Sequence, residues 1–334
     1  MSTKSKVFKR KKLVAPVEVV TEDDFFDSFV ENAKGLPDVL IPDGEDEPLL
    51  QVSKFIEMPK PFQILLDAPG IPCGLITEVY GPPDSGKTTF CNEILKQTQL
   101  QGGVPVLVLS ELKYDLHRAS TMGLNVKRMM IRRPRTIEQV QEYIHEIVDV
   151  VKKTGKRRPV AIVWDSLGST PCEKELDEKR GDFAADQAAA ITKLLRKTQA
   201  IIRDYDIALV MINQVSTKIG VTFGKKTQAK GGFAPKYYSA LRVEFTKTGR
   251  ERATGAGKDA DFCAIKTAIE VEKSHIGSPF NTMNAVVDTY GFVFDRKILP
   301  KPKRPKVRTL HDEEDGDTDI PDGKKDGELS EAGE

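Results

Sequence analysis

The chain has 334 residues, 39% hydrophobic and 30% charged, enough apolar side chain for a large folded core but with no apolar run of membrane-spanning length. Cys73, Cys91, Cys172 and Cys263 lie far apart, without Cys-x-x-Cys spacing or nearby histidines, which excludes a zinc site and a disulfide framework and suits a reducing cytoplasm. The net charge of +1 hides segregation: the N-terminus and residues 296–308 are basic, and from Asp312 onward acids dominate, interrupted by Lys324 and Lys325.

Residues 1–20 read as an unstructured basic arm; Pro16 and Glu18 break its apolar part, against a signal peptide. The run from Thr21 to Asp24 resembles a capping box, and Phe25, Phe26, Phe29, Val30 and Ala33 share one face of the helix it opens, which Gly35 ends. So short a helix needs a surface to pack on, either the chain's own core or a neighbouring subunit. Prolines and acids mark residues 36–48 as an extended linker with a short strand at 39–41.

A strand is expected from Leu75 to Tyr80, followed by Gly81-x-x-x-x-Gly86-Lys87-Thr88 and a helix from Phe90. Strands follow at 104–109, 129–131, 160–165 and 207–212. They alternate with helices at 115–122 (closed by Gly123), 136–153 (closed by Gly155) and 184–205. Strand-like runs at 239–245, 267–273 and 285–290 close the core, and Gly255 to Lys258 reads as a hairpin turn. The alternation predicts an α/β fold: a mostly parallel twisted sheet with helices on both faces and an antiparallel extension. Three regions are expected: residues 1–60 as arm, helix and linker, 61–297 as core, and 298–334 as a disordered tail, basic then acidic.

The strand–loop–helix at 75–96 is the context a phosphate loop requires. Glycines let the loop of Gly81, Pro82, Pro83, Asp84, Ser85 and Gly86 curl so that the N–H groups of its non-proline residues point at phosphates at the positive end of a helix. Lys87 reaches the β- and γ-phosphates, the Thr88 hydroxyl suits Mg²⁺, and Thr89 continues the helix, so the chain is expected to bind a nucleoside triphosphate. Ligand chemistry in such sheets gathers at the carboxyl ends of strands. Asp165, ending a strand, suits the acid that holds Mg²⁺, and Glu111 is the candidate base for attack on the γ-phosphate. Gln214, after the strand at 207–212, is positioned to sense that phosphate and to begin a mobile loop.

Beyond Gln214, Lys218, Lys225, Lys226, Lys230 and Lys236 alternate with Ile219, Phe223 and Phe233 on a glycine-rich stretch containing Gly231 and Gly232. Basic residues interleaved with apolar ones fit single-stranded DNA; a plain solvated loop has a similar composition.

These motifs resemble the RecA family of recombinases, including the phage UvsX-type members. The likeness is carried by residues 78–89, Ser110-Glu111, residues 163–166, residues 212–214, residues 218–224, Gly231-Gly232 and residues 278–280. It spans about residues 60–295 and implies a RecA-like P-loop ATPase core. By that resemblance Glu111, Lys87 and Gln214 are catalytic, Asp115 and Arg118 face the adenine side, and residues 218–232 form the second DNA-binding loop. A first DNA loop would lie in 171–182, with Arg180 among its contacts. Lys273 and His275 match positions that reach a neighbouring subunit's nucleotide in trans.

The resemblance further implies a homo-oligomeric helical filament on single-stranded DNA, pairing with homologous duplex, with single-strand-binding and loader proteins as partners and no membrane. After Tyr290 too few residues remain for the globular C-terminal domain of the bacterial proteins, so duplex capture would fall to the basic stretch 296–308. A ring-forming motor of helicase type and a non-catalytic ATP- and DNA-binding scaffold remain as alternatives.

Overall fold

The computed structural model describes residues 31–33, 52, 54–111, 113–155, 158–176, 183–217, 227–229 and 231–301, with backbone alone for 216–217 and 227–229. The chain divides into a unit of residues 1–53, of which 31–33 are helical, and a unit of residues 54–334.

The larger unit opens with a two-stranded antiparallel ribbon, β1 (Phe55–Glu57) and β2 (Gly70–Pro72), enclosing α1 (Lys60–Leu66). Next come β3 (Ile76–Gly81), α2 (Lys87–Leu100), β4 (Val104–Leu109), α3 (Leu116–Thr121), β5 (Met130–Arg132), α4 (Ile137–Thr154), β6 (Val160–Asp165) and α5 (Phe183–Asp204). The chain then runs through β7 (Ile207–Thr217), β8 (Thr227–Ala229), α6 (Ala234–Tyr238), β9 (Leu241–Arg252), β10 (Phe262–Ser274), β11 (Thr282–Asp288) and β12 (Gly291–Val293). The strands form one ten-stranded sheet in the order β12-β11-β10-β9-β3-β7-β6-β4-β5, with β8 paired to β7. From β9 through β5 all pairings are parallel; β9–β10, β10–β11 and β11–β12 are antiparallel.

Because side chains alternate along a strand, each apolar strand feeds two cores. On β6, Ala161 and Val163 join Phe62, Phe90, Ile94 and Leu95 of α1 and α2 on one face. Val160, Ile162 and Trp164 join Ile144, Ile147, Leu194 and Ile202 of α4 and α5 on the other. Edge-on aromatic contacts from Phe62 to Phe90 (5.0 Å) and Phe292 (4.9 Å) fasten α1 and β12 to α2.

Local chemistry fixes the helix ends. The Thr136 hydroxyl accepts from the Gln139 amide at 3.3 Å, and Gly155 takes the left-handed conformation at φ 66° that closes α4. Asp115 caps α3 by accepting from the Arg118 amide at 3.0 Å.

Several expected bounds change. Gln214 does not begin a loop: β7 runs on to Thr217, because β8 supplies the ladder partners of residues 215–217. Strands β9 and β10 extend well past their apolar centres as a hairpin whose turn contains Gly255 to Lys258. The elements β1, α1, β2, β8, α6 and β12 have no counterpart in the sequence reading. The basic arm, most of the helix at 22–34, the strand at 39–41 and residues 302–334 lie outside the described residues.

Candidate functional site

Strands β3, β4, β6 and β7 run parallel, so their carboxyl ends open on one edge of the sheet. There the loop from Gly81 to Gly86 turns into α2. At Gly81 (φ 150°) an added Cβ would lie 2.0 Å from the Phe245 carbonyl oxygen of β9, so only glycine fits. Gly86 (φ 103°) caps α2. Within the loop Ser85 Oγ donates to the Pro82 carbonyl at 2.8 Å. Lys87 is 7% exposed, and its ammonium donates to the carbonyls of Gly81 (2.9 Å) and Pro82 (2.6 Å), folding back over the loop. Burial lowers its pKa, against the pull of Asp165, Cys91, Glu111 and Asp84.

Thr88, exposed to the cleft, donates from Oγ1 to Asp165 Oδ2 at 3.2 Å. Burial, followed by the charge of Glu111, raises the Asp165 carboxyl to about 6, although the Thr88 bond and Lys87 oppose the shift. Glu111, just past β4, receives three donors on Oε1: Ser166 Oγ, Ser169 Oγ and Gln214 Nε2, each at 2.7 Å. Partial burial pushes its pKa up, but the two serine bonds, Lys113 and Gln214 outweigh that and hold it below the ordinary value. Arg118 Nη2 donates to Thr89 Oγ1 (3.1 Å) and to the Asp288 carbonyl (3.5 Å), so its guanidinium lies along the wall beside α2.

Lys87, Thr88, Thr89, Glu111, Arg118, Asp165 and Gln214 line one cleft of about 780 Å³, together with Asp115, Lys247, Arg250 and Lys301. Residues 41–292 match the sequence pattern of the RecA N-terminal domain. The chain belongs to the RecA family. It is 34% identical over 241 residues to Protein RecA of Borrelia hermsii, covering 71% of this chain and 65% of that protein. For Protein RecA of Cereibacter sphaeroides the figures are 32% over 239 residues, covering 71% and 66%. For that of Methylococcus capsulatus they are 35% over 221 residues, covering 66% and 60%. The chain thus spans just under two thirds of the length of these RecA relatives.

Within this RecA-family core the structure gathers Lys87, Thr88, Glu111, Asp115, Arg118, Asp165 and Gln214 into one cleft. Lys273 and His275 lie elsewhere: Lys273 Nζ donates to the carbonyls of Lys236 and Tyr237 at 3.2 Å each, and the His275 amide to the Ala240 carbonyl at 2.9 Å. Gly231 and Gly232 (φ 84° and 72°) pass over Leu167, Ile191 and Ala188 just before α6. Lys218, Ile219, Phe223, Lys225, Lys226, Lys230 and Arg180 lie outside the described residues. Sequence reading missed the serine pair that holds Glu111 and the basic hairpin wall. Ser166 directly follows the matched Asp165 and was within reach of inspection; Lys247 and Arg250 became visible only once β9 was seen to extend.

No group of three or more His, Cys, Asp or Glu side chains among the described residues is arranged to hold a metal, and no helix among them is long and apolar enough to cross a membrane.

Proposed function

We propose that the chain is an ATP-dependent recombinase, most like the phage UvsX-type members of its family, that assembles on single-stranded DNA, pairs it with homologous duplex and exchanges strands. The observation that carries this reading is the 2.7 Å bond from Gln214 to Glu111. It joins the strand leading into the 218–230 segment directly to the candidate base beside the phosphate loop.

Mg²⁺ fits the site's donors. Thr88 Oγ1 and Asp165 Oδ2 already meet at 3.2 Å, and Mg²⁺ is ordinarily held by one or two protein oxygens plus substrate phosphates, which needs no dedicated cage. When bound, the cation offsets charge on the β- and γ-phosphate oxygens. The loop amides cradle the phosphates, and Lys87 turns from its own carbonyls to the anionic oxygens. Glu111, its Oε1 fixed by two serines, uses its other oxygen to orient water, and Gln214 exchanges Glu111 for the γ-phosphate. Arg118 covers the base, with Asp115 behind it.

Lys218, Lys225, Lys226, Lys230 and Arg180 would contact the strand's phosphates, with Ile219 and Phe223 against bases and Gly231-Gly232 allowing close approach. Lys273 and His275 would reach a neighbouring subunit's nucleotide, residues 1–60 would dock on a neighbour, and residues 296–308 would capture duplex. A cytoplasmic setting, with single-strand-binding and loader proteins, follows from the same reading.

Strand exchange between a circular single strand and homologous linear duplex tests it. ATP-dependent joint molecules, absent with ADP and with Lys87→Ala, are expected; ATP and strand binding without joint molecules would leave a scaffold instead.

A further inference from the structure

Just past residue 292, where the match to the RecA N-terminal domain ends, the chain does not leave the core. Phe294 packs edge-on against Phe62 at 5.3 Å and stacks with Phe292 at 6.0 Å. Arg296 then turns back on Asp288, at the end of β11, whose side chain is wholly buried. The guanidinium grips that carboxylate at both oxygens: Nη1 donates to Oδ2 at 2.5 Å and Nη2 to Oδ1 at 2.7 Å. The Tyr290 amide donates to Oδ1 at 2.8 Å and the Leu299 amide to Oδ2 at 3.2 Å. A second fastening joins Ile298 to Thr254, just after β9. The Ile298 amide donates to Thr254 Oγ1 at 2.9 Å, and the Thr254 amide donates to the Ile298 carbonyl at 3.0 Å.

Residues 296–301 are thus held at two places, and they end with Lys301 in the lining of the cleft, where its charge acts on Cys263. Lys301 has no ion-pair partner among the described residues. Asp288 serves two neighbours: its carboxylate holds this strap, and its carbonyl accepts from Arg118 Nη2 at 3.5 Å. The strap therefore meets the cleft beside the arginine assigned to the base. A wholly buried carboxylate is costly unless its charge is matched, and a bidentate arginine pair fixes direction as well as charge. A chain end that merely trailed from the core would need neither.

We propose that residues 296–301 are a clasp on the nucleotide cleft, with Lys301 as a further binding residue for the ribose and α-phosphate end of the nucleotide. Asp288, Arg296 and Thr254 are the positioning residues that hold the clasp. This deepens the ATP-binding reading above and rests on it. A segment already fastened at two points has little backbone freedom left to lose when the ligand arrives, so its one cation is used efficiently. Capture of duplex, assigned above to 296–308, then falls to the residues beyond 301.

The test uses the full chain, with dissociation constants for ATP and ADP read by titration calorimetry. Lys301→Met, a change at an exposed position that leaves the fold intact, should weaken both nucleotides by the same factor, about fivefold. Arg296→Met should weaken them similarly, and adding Lys301→Met to it should change little more, because the clasp acts through the cation it carries. If Arg296→Met does not fold, Thr254→Val takes its place in the cycle, since it removes the acceptor of the Ile298 amide and leaves the ion pair. Wild-type affinities in Lys301→Met overturn the inference, and so do additive losses in the cycle. A loss confined to ATP would put the ammonium at the γ-phosphate and overturn its assignment. Wild type that binds neither nucleotide would instead defeat the ATP-binding reading, and the clasp with it.

Discussion

Arg242→Met is the sharpest probe of a buried ion pair within the sheet, in which Arg242 Nε of β9 donates to Glu78 Oε2 of β3 at 2.6 Å while Asn213 Nδ2 donates to Glu78 Oε1. The change keeps most of the side-chain volume but leaves Glu78 Oε2, in a wholly buried residue, without its cation; Asn213 still serves Oε1. Glu272 loses its buried partner too, though Tyr80 and Lys236 remain beside it. Breaking such a pair from one side costs about 3–5 kcal/mol. For a folded unit of this size each kcal/mol moves the midpoint by about 2–4 °C, so melting should fall by about 6–20 °C. Adding Glu78→Gln to the same chain should restore most of that loss, because the stranded charge is gone. Scanning calorimetry of wild type, both single variants and the double variant gives the cycle. A drop for Arg242→Met under about 2 °C, or no recovery in the double variant, would refute the claim that the pair is desolvated and interdependent.

Lys87→Ala should weaken ATP binding by at least about a hundredfold, as for loss of a charge-assisted contact in a dry site, which titration calorimetry reads directly. Glu111→Gln should retain ATP and strand binding while turnover falls by about 10²–10⁴, and a steady-state phosphate-release assay decides it. Asp165 sits at about 6 in the metal-free fold against an ordinary 3.8, so its contribution to stability is present below about pH 3.8 and is lost as pH rises through about 6. In EDTA, Asp165→Asn should therefore flatten the fall in urea midpoint between pH 4 and 6.5; an unchanged slope would remove Asp165 as its source. Phe62→Ala should destabilise the unit by about 3–5 kcal/mol through loss of a fully buried ring that contacts Phe90, Phe292 and Phe294, seen as a lower urea midpoint with unchanged slope.

Where one element sufficed to decide, the sequence was readable: β4 and β6 have the bounds their uninterrupted apolar runs set, and α4, expected at 136–153, runs one residue later between Thr136 and Gly155. The placement of the Gly81–Gly86 loop, Glu111 and Asp165 around one cleft was readable because strand ends and glycine spacing are local signals. Long-range pairing was not. The ribbon β1–β2 is too short to announce itself, and β7 continues beyond polar Asn213 and Gln214 only because β8 returns to pair with it. Nothing local announces that Glu78 of β3 is buried, because the charge that matches it, Arg242, lies far along the chain. The serine clamp on Glu111 likewise depends on how β4 and β6 lie side by side.

The contact between Gly81 and the Phe245 carbonyl has one more consequence. The atom that fills the space beside Gly81 is main chain, so no exchange of side chain at position 245 can make room for a larger residue at 81. Side chains of the β9–β10 hairpin that stay clear of the cleft are open to exchange, but the path of the hairpin's root is fixed by the Gly81–Gly86 loop that it abuts. An insertion or deletion between Leu241 and Phe245 should disable nucleotide binding even though it removes no residue that lines the cleft.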